Sequence, residues 1–600
     1  MSSPTLETQV SIGAAPNSDR MAPVVETTSS RALRWQVAFL SMAALNCIFQ
    51  IAWFWRYSSH NINFDAISYI GIGRHIVDGH FRESLHGYWS PLISWYIAAG
   101  SVFSGNLVLV ARVITISSFL LCLPVTYLLS FQIWKSHSAA SLSVLCFTLA
   151  RGVVAFSVYF IGADFLITAA VGGYFIILLQ CLRKPTSRNW LGLGGMHGVA
   201  FLTKAFAMPW LSLSTLLGIG LLYNRRPKRL ALCAALALAI PVFVWLGWGM
   251  LLRTKYGRFT AGYQSKLNLL PVDLRDSVNK RNLSVLTDAQ SNDNYMVVDE
   301  MYPSSPLWKT HLPKSTLARL LEREYRNLPE ALKQLMILIT PGGLLALGLA
   351  LGSLRRYARR PDNIWTFVTV GSAFTLISGY CMLVFDARYV LPLAPLLLAL
   401  SSRFLWPIRG NSSTSLVNYA PATMFIGSII FLGFYSGSPL RSLRNDYQSG
   451  IYSVSTALKQ IPQCDRLVSI GSGPFPQHGV GWEAGIYASY FAQCRIVGFS
   501  SEVPAPANFL ATAADIEHLG ANSVLVFGNS NDRDITVLLE AIRATSTLKS
   551  MMRLQVWPGK EAFLLWNDHG LSLKHQAFGA EPSLFGNDLA KKDVALFLQP

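Results

Sequence analysis

The feature that most constrains this chain is a series of apolar blocks of about 18 or more residues. That is the length a helix needs to cross the hydrocarbon core of a bilayer. The blocks recur from residue 33 to residue 437, separated by polar links. Charged residues make up 14% of the chain, against roughly 25% in soluble globular proteins, so the blocks cannot be the buried strands and helices of a soluble enzyme. The chain reads as a polytopic α-helical membrane protein. About eleven spans are expected, near 33–55, 107–133, 138–160, 163–182, 190–204, 206–223, 230–252, 332–352, 364–385, 388–405 and 417–437. The pair 190–204 and 206–223 is short, and a broken or half-crossing helix is an alternative there.

The formal charge is +18, but its placement argues against nucleic acid. Basic residues cluster in alternate loops, at Arg20/Arg31/Arg34, Lys135, Arg183/Lys184/Arg188, Arg225/Arg226/Lys228/Arg229, Arg355/Arg356/Arg359/Arg360 and Arg403/Arg409. This is the positive-inside pattern of a plasma (inner) membrane protein; nucleic-acid binding would require one contiguous basic face. Starting inside, residues 1–32 form a Ser/Thr/Pro-rich cytoplasmic tail expected to be disordered, and the membrane domain runs over 33–438. No small-residue cleavage site follows its first block, so that block reads as a span rather than a signal peptide. The same orientation places loop 57–105, loop 253–331 and the region from 440 onward outside. The stretch 91–105 contains Pro91, Gly100 and Gly105 and reads as a helix lying along the interface. Within loop 253–331 an amphipathic helix is expected over 315–328; the loop either caps a substrate or is simply exposed.

Residues 440–570 change character. Leu467–Ile470, Ser523–Phe527 and 561–566 read as strands, and 447–460 and 535–545 as helices. A small extracytoplasmic α/β domain is expected, followed by a weakly ordered tail over 571–600. Gly471-Ser472-Gly473 after a strand is a fragment of a dinucleotide fingerprint without its third glycine, which argues against nucleotide binding. Six cysteines fall in apolar segments. Cys464 and Cys494 do not, and a disulfide between them is plausible if their region is extracytoplasmic.

Ionisable groups near membrane depth are expensive and call for a reason. They collect at the expected outer ends of the spans: Asp65 and Tyr69 in the first loop, Arg112 early in the second span, and Asp164 at the start of the fourth. Lys204 closes the fifth span, Arg253 and Lys255 the seventh, and Asp386-Ala387-Arg388-Tyr389 joins the ninth to the tenth. Two acids with several cations at one face can hold a lipid-linked phosphate and take a proton from an attacking hydroxyl. The plain alternatives are that Asp65 N-caps a helix and that Arg253 and Lys255 snorkel to headgroups. Arg151 can be a simple ion-pair partner, and His197, among glycines, reads as a helix-packing histidine. No HExxH, paired CxxC, Walker loop or Ser-His-Asp signature is found.

The ordered set resembles the GT-C membrane glycosyltransferases, in the branch of protein O-mannosyltransferases and lipid A aminoarabinose transferases. It consists of a loop acid with Tyr four residues on, Tyr88-Trp89-Ser90-Pro91-Leu92, Ala111-Arg112, Asp164, Leu202-Thr203-Lys204 and Arg388-Tyr389-Val390-Leu391-Pro392. The resemblance covers about residues 35–405. It implies transfer of a sugar from a polyprenyl-phosphate donor to a hydroxyl or phosphate acceptor (glycan, lipid or protein) outside the cytoplasm. Asp65 would be the general base with Asp164 supporting it. Arg112, Lys204, Arg253 and Arg388 would lie near the donor phosphate and lipid, and Tyr69, Tyr88, Trp89 and Tyr389 would line the cavity. The chain departs from the pattern at Ala66, where many relatives have Glu, and at Tyr88-Trp89-Ser90-Pro91, where the aminoarabinose type has Glu-Lys-Pro-Pro. The missing Glu weakens any metal site, leaving a divalent cation open, and the missing Lys removes a phosphate contact. The rival readings are a transporter or lipid flippase, against which stand the absence of an internal repeat and the gathering of charge at one face, and a catalytically inactive scaffold.

Overall fold

The computed structural model describes residues 30–55, 62–150, 152–223, 227–262, 316–357, 364–382, 387–405, 447–461, 464, 466–471, 483–500, 503, 506–528, 532–557 and 560–567. The expected tails, the span at 417–437, most of loop 253–331, Arg151 and Asp386 lie outside them.

The apolar blocks fold as helices α1 (Ser30–Trp55), α4 (Leu107–Trp134), α5 (His137–Leu149), α6 (Val153–Tyr159), α7 (Asp164–Arg183), α8 (Ser187–Thr203), α9 (Ala207–Tyr223) and α10 (Pro227–Tyr256). Between α1 and α4 come α2 (Phe64–Val77) and the short α3 (Leu92–Gly100), the latter within the stretch expected at the interface. Then follow α11 (Thr316–Tyr357), α12 (Ile364–Met382), a 3-10 turn (Ala387–Leu393) and α13 (Ala394–Leu405). Among the described residues, α1, α4, α7 and α10 are long and apolar enough to cross a membrane singly. The expected span 138–160 is α5 and α6, bent by 56°, and Gly152 at the break has φ +71, a conformation that glycine adopts readily. The amphipathic segment expected at 315–328 and the span expected at 332–352 form one continuous helix, α11.

Local chemistry explains the helix ends. The side chains of Asn106, Ser136 and Thr186 accept the backbone N–H three residues on, which satisfies an otherwise orphaned donor. Large apolar side chains of α1, among them Leu45, Ile48 and Phe49, are about two-thirds exposed. On a membrane helix that is a lipid-facing stripe, whereas in water it would be an aggregation-prone patch. Phe119, Phe147, Tyr174 and Trp190 are fully buried, and His197 is buried with Nε2 at 3.2 Å from the Met208 carbonyl, the helix-packing role expected.

The C-terminal residues build a five-stranded sheet in the order β2-β1-β3-β5-β4, from β1 (Arg466–Ile470), β2 (Arg495–Ser500), β3 (Ser523–Gly528), β4 (Ser550–Trp557) and β5 (Lys560–Trp566). Strands β2, β1 and β3 are parallel; β5 joins β3 and β4 antiparallel. Helices α14 (Tyr447–Gln460), α15 (Glu483–Ala492), α16 (Phe509–His518) and α17 (Arg533–Thr545) cover it. Gly471 after β1 has φ +91, and a Cβ there would lie 2.4 Å from the Phe527 carbonyl oxygen, so close strand packing accounts for the first glycine of the fragment. One apolar cluster joins Ile67 and Ile70 of α2 to Ile451 and Leu458 of α14 and Tyr487 of α15. The helix of Asp65 and Tyr69 therefore rests on this region.

Helices α8 and α10 meet at Gly194, where a Cβ would lie 2.8 Å from the Ala237 carbonyl oxygen. Small residues permit such close approach between membrane helices. Gly194→Ala is expected to destabilise the protein by about 1–3 kcal/mol. Gly195→Ala, whose Cβ meets nothing within 4 Å, should be neutral or stabilising by up to about 1 kcal/mol. Thermal unfolding of the two purified variants in detergent measures the contrast, and equal behaviour would refute the packing account.

Candidate active site

Asp65 lies in the first turn of α2, but it does not cap the helix. Asn63 holds the N-cap position, and its Oδ1 accepts the Ile161 N–H at 2.8 Å. That bond ties the start of α2 to the link between α6 and α7. Gly162 in this link lets Phe160 fold back, since a Cβ would lie 2.8 Å from its ring. Asp164 then opens α7. Lys204 leaves α8 in an extended conformation, and the next N–H, of Ala205, donates to Ser90 Oγ at 3.1 Å. Arg388 and Tyr389 sit on the 3-10 turn before α13.

These elements bring together two ion pairs. Arg388 Nη1 donates to Asp65 Oδ2, and Lys204 Nζ donates to Asp164 Oδ1. Both cations face the ring of Tyr389, with Lys204 Nζ 5.3 Å and Arg388 Cζ 5.5 Å from its centroid. Arg388 Cζ also lies 4.8 Å from the Phe160 centroid. Such cation–π contacts add most where water is excluded. Tyr389 is fixed by stacking on Tyr380 at 4.4 Å. The two pairs differ in access: the side chain of Asp164 is 3% exposed and that of Asp65 20%. Asp65 is the more accessible carboxylate, and Asp164, nearly out of reach of solvent, pairs with Lys204.

Tyr69 is buried beside this network and meets Trp89 edge-on at 5.1 Å. Burial pushes its phenol well above the usual range, and the charges of Asp65 and Asp164 add to the effect. It therefore remains a neutral hydroxyl. Trp89 and Tyr88 also line a cavity of about 170 Å³ with Phe201, Ala205, Trp245 and Trp248. The segment leading to it is held from α10: Lys255 Nζ donates to the Glu83 and Leu85 carbonyls, and Gly87 N–H donates to the Tyr256 hydroxyl at 3.2 Å. Lys255 thus clasps a loop and does not simply snorkel. Arg253, on the same turn, is exposed. Arg112 is buried, with Nη1 donating to the Val158 carbonyl at 3.1 Å, so at least one of its donors is committed to α6.

The sequence reading missed Asn63, Ser90 and Phe160. An asparagine two places before Asp65 is itself a cap signal, but nothing local announces that Ser90 reaches Ala205 or that Phe160 carries a guanidinium. Among the described residues no group of three or more His, Cys, Asp or Glu converges as a metal site, and the two site carboxylates each face a cation of the protein.

No family model matches the chain. It is 25% identical over 183 residues to the undecaprenyl phosphate-α-4-amino-4-deoxy-L-arabinose arabinosyl transferase of Erwinia tasmaniensis, covering 28% of this chain and 30% of that protein. A transferase of the same name from Pectobacterium carotovorum is 25% identical over 180 residues, 29% of this chain and 31% of that one. The chain thus matches less than a third of the length of these curated relatives. In structure it is similar to crystalline ArnT from Cupriavidus metallidurans bound to undecaprenyl phosphate, with TM-score 0.50, 12% identity, and 88% of this chain and 98% of that one covered. The fold is thus similar to that of this crystalline membrane protein over most of both chains. The resemblance drawn from the ordered residues is borne out as a similarity to transferases of the aminoarabinose type.

Removing one partner of a buried ion pair strands the other and costs about 3 kcal/mol or more. Asp164→Asn and Lys204→Met should each destabilise by about that amount. The double variant should lose less than the sum, with a coupling of roughly 0.5–3 kcal/mol. A double-mutant cycle from chemical unfolding in detergent measures it; strict additivity would remove the pair from any structural role.

Proposed function

We propose that this chain is an integral-membrane glycosyltransferase that moves a sugar, hexosyl or pentosyl, from a polyprenyl-phosphate donor to a hydroxyl or phosphate acceptor at the outer face of the membrane. The observation that carries the reading is the convergence of Asp65–Arg388 and Asp164–Lys204 on Tyr389. A cation beside an accessible carboxylate is what such a transfer needs. The similarity to transferases named for an undecaprenyl-phosphate sugar supports the donor class.

Lys204 and Arg388 neutralise the donor phosphate by charge-assisted hydrogen bonds. The acceptor oxygen attacks the anomeric carbon while the bond from that carbon to the phosphate oxygen breaks. Polyprenyl phosphate leaves with the electron pair, and Asp65 takes the acceptor proton. A single displacement inverts configuration at the anomeric carbon. Asp164 holds Lys204 in place, and Arg112 and Arg253 serve the lipid-phosphate side more remotely. Tyr69, Tyr88, Trp89 and Tyr389 shape the walls. The aminoarabinose donor and lipid A acceptor do not carry over, because Trp89 and its neighbours replace the Glu-Lys of that type.

The domain plan that goes with this reading has a cytoplasmic tail over 1–32, about eleven spans within 33–438, and an extracytoplasmic α/β domain over 440–570 before the tail 571–600. The alternation of basic loops supports the orientation.

Reconstituted protein with radiolabelled polyprenyl-phosphate sugars and an acceptor pool is expected to transfer label. Asp65→Asn should lower kcat by about 10²–10⁴-fold in a variant that still folds by its melting curve. Undiminished transfer by the variant would remove Asp65 as the base, and donor-independent substrate flux across the bilayer would favour a transporter instead. A reporter enzyme active only outside the cytoplasm, fused after residue 450, should be active. Its silence beside an active cytoplasmic reporter would invert the plan.

A further inference from the structure

Six of the eight cysteines lie on helices of the membrane domain: Cys47 on α1, Cys122 on α4, Cys146 on α5, Cys181 on α7, Cys233 on α10 and Cys381 on α12. The other two meet each other. Cys464 lies just after α14, its N–H donating to the Ile461 carbonyl at 3.3 Å. Cys494 stands immediately before β2, its N–H donating to the Ser489 carbonyl at 3.0 Å, and the preceding Gln493 has φ +61. That left-handed residue turns the chain out of α15 so that Cys494 faces α14. The two sulfur atoms, 30 positions apart in sequence, lie 2.6 Å apart. Cys464 is partly exposed and Cys494 is buried.

We propose that Cys464 and Cys494 are joined by a disulfide in the mature protein. The bond ties α14 to the end of α15, the two helices whose apolar faces share a cluster with α2. It therefore braces the surface on which the helix of Asp65 and Tyr69 rests. The inference depends on the extracytoplasmic placement proposed above, since such bonds persist in oxidising compartments.

The chemistry is thiol–disulfide exchange with an oxidised dithiol oxidase of that compartment. Exposure sets the order of events. The thiolate of Cys464 attacks the oxidase disulfide, forming a mixed disulfide and releasing one oxidase thiolate. The Cys494 thiolate then attacks the Cys464 sulfur and displaces the second oxidase thiolate. Two thiols of this chain lose two electrons and two protons, and the oxidase disulfide is reduced to a dithiol.

The test uses the full-length protein purified from membranes. It is denatured and alkylated with a maleimide before and after reduction, then digested for mass spectrometry. The expected result is one cross-linked species containing Cys464 and Cys494, lighter by two hydrogens than the separate peptides, which becomes two alkylated peptides only after reduction. Alkylation of both residues without reductant overturns the bond. In native protein, Cys464 of Cys494→Ser should label readily, whereas Cys494 of Cys464→Ser should label only on unfolding. Equal labelling overturns the assigned order. Reduction of the wild type should lower its melting temperature by several degrees, and an unchanged melt overturns the brace. No substrate enters these measurements, so they stand apart from the transfer assay. Free thiols with an outside-active reporter would remove the bond alone; free thiols with a cytoplasmic reporter would remove the topology as well.

Discussion

The site depends on the pairing of four charges that are largely withdrawn from the surface. Two carboxylates and two cations stand around one aromatic ring, and charges drawn away from water call for partners. Pairing solves this locally, and it also fixes the fold. Asp65 comes from α2, Asp164 from the start of α7, Lys204 from the exit of α8, and Arg388 from the turn before α13. The Asp65–Arg388 pair alone closes a separation of 323 residues. Each pair therefore acts as a clasp between distant helices, and Tyr389 couples the two clasps because both cations face its ring.

The same arrangement suits a substrate that brings its own negative charge. A phosphate arriving at Lys204 and Arg388 competes with carboxylates for donors that are already aligned, so little reorganisation is needed. Asp65, the more accessible acid, is the one such competition would release toward an acceptor, while the nearly inaccessible Asp164 keeps Lys204 anchored. In the proposed reaction, this asymmetry in exposure separates a reacting carboxylate from a positioning one.

Much of this was legible in the sequence, for identifiable reasons. Long apolar blocks have few alternative folds, so nearly every expected span within the described residues coincides with a helix. Charged residues at block ends stood out because lipid makes them expensive, which is why Asp65, Asp164, Lys204 and Arg388 could be named without coordinates. What could not be read was pairing: no local pattern says that Asp65 takes Arg388 and Asp164 takes Lys204. In the α/β region β1, β3 and β5 were visible as apolar runs. The edge strands were missed. β2 is interrupted by Gly498, and the polar–apolar alternation of β4, with Met552, Leu554 and Val556 buried, was a signal present but passed over.

The departures from the family pattern, at Ala66 and at Tyr88-Trp89, also acquire a physical reading. Ala66 is fully buried and belongs to the apolar cluster shared with Ile67, Ile70 and Trp89. A glutamate there would place a carboxylate in that cluster beside two acids already present, so it would require a compensating cation. Where the aminoarabinose type has Glu-Lys, this chain has Tyr88-Trp89. Trp89 packs against Tyr69 and walls the cavity. In the proposed reaction, phosphate recognition then falls to Lys204 and Arg388.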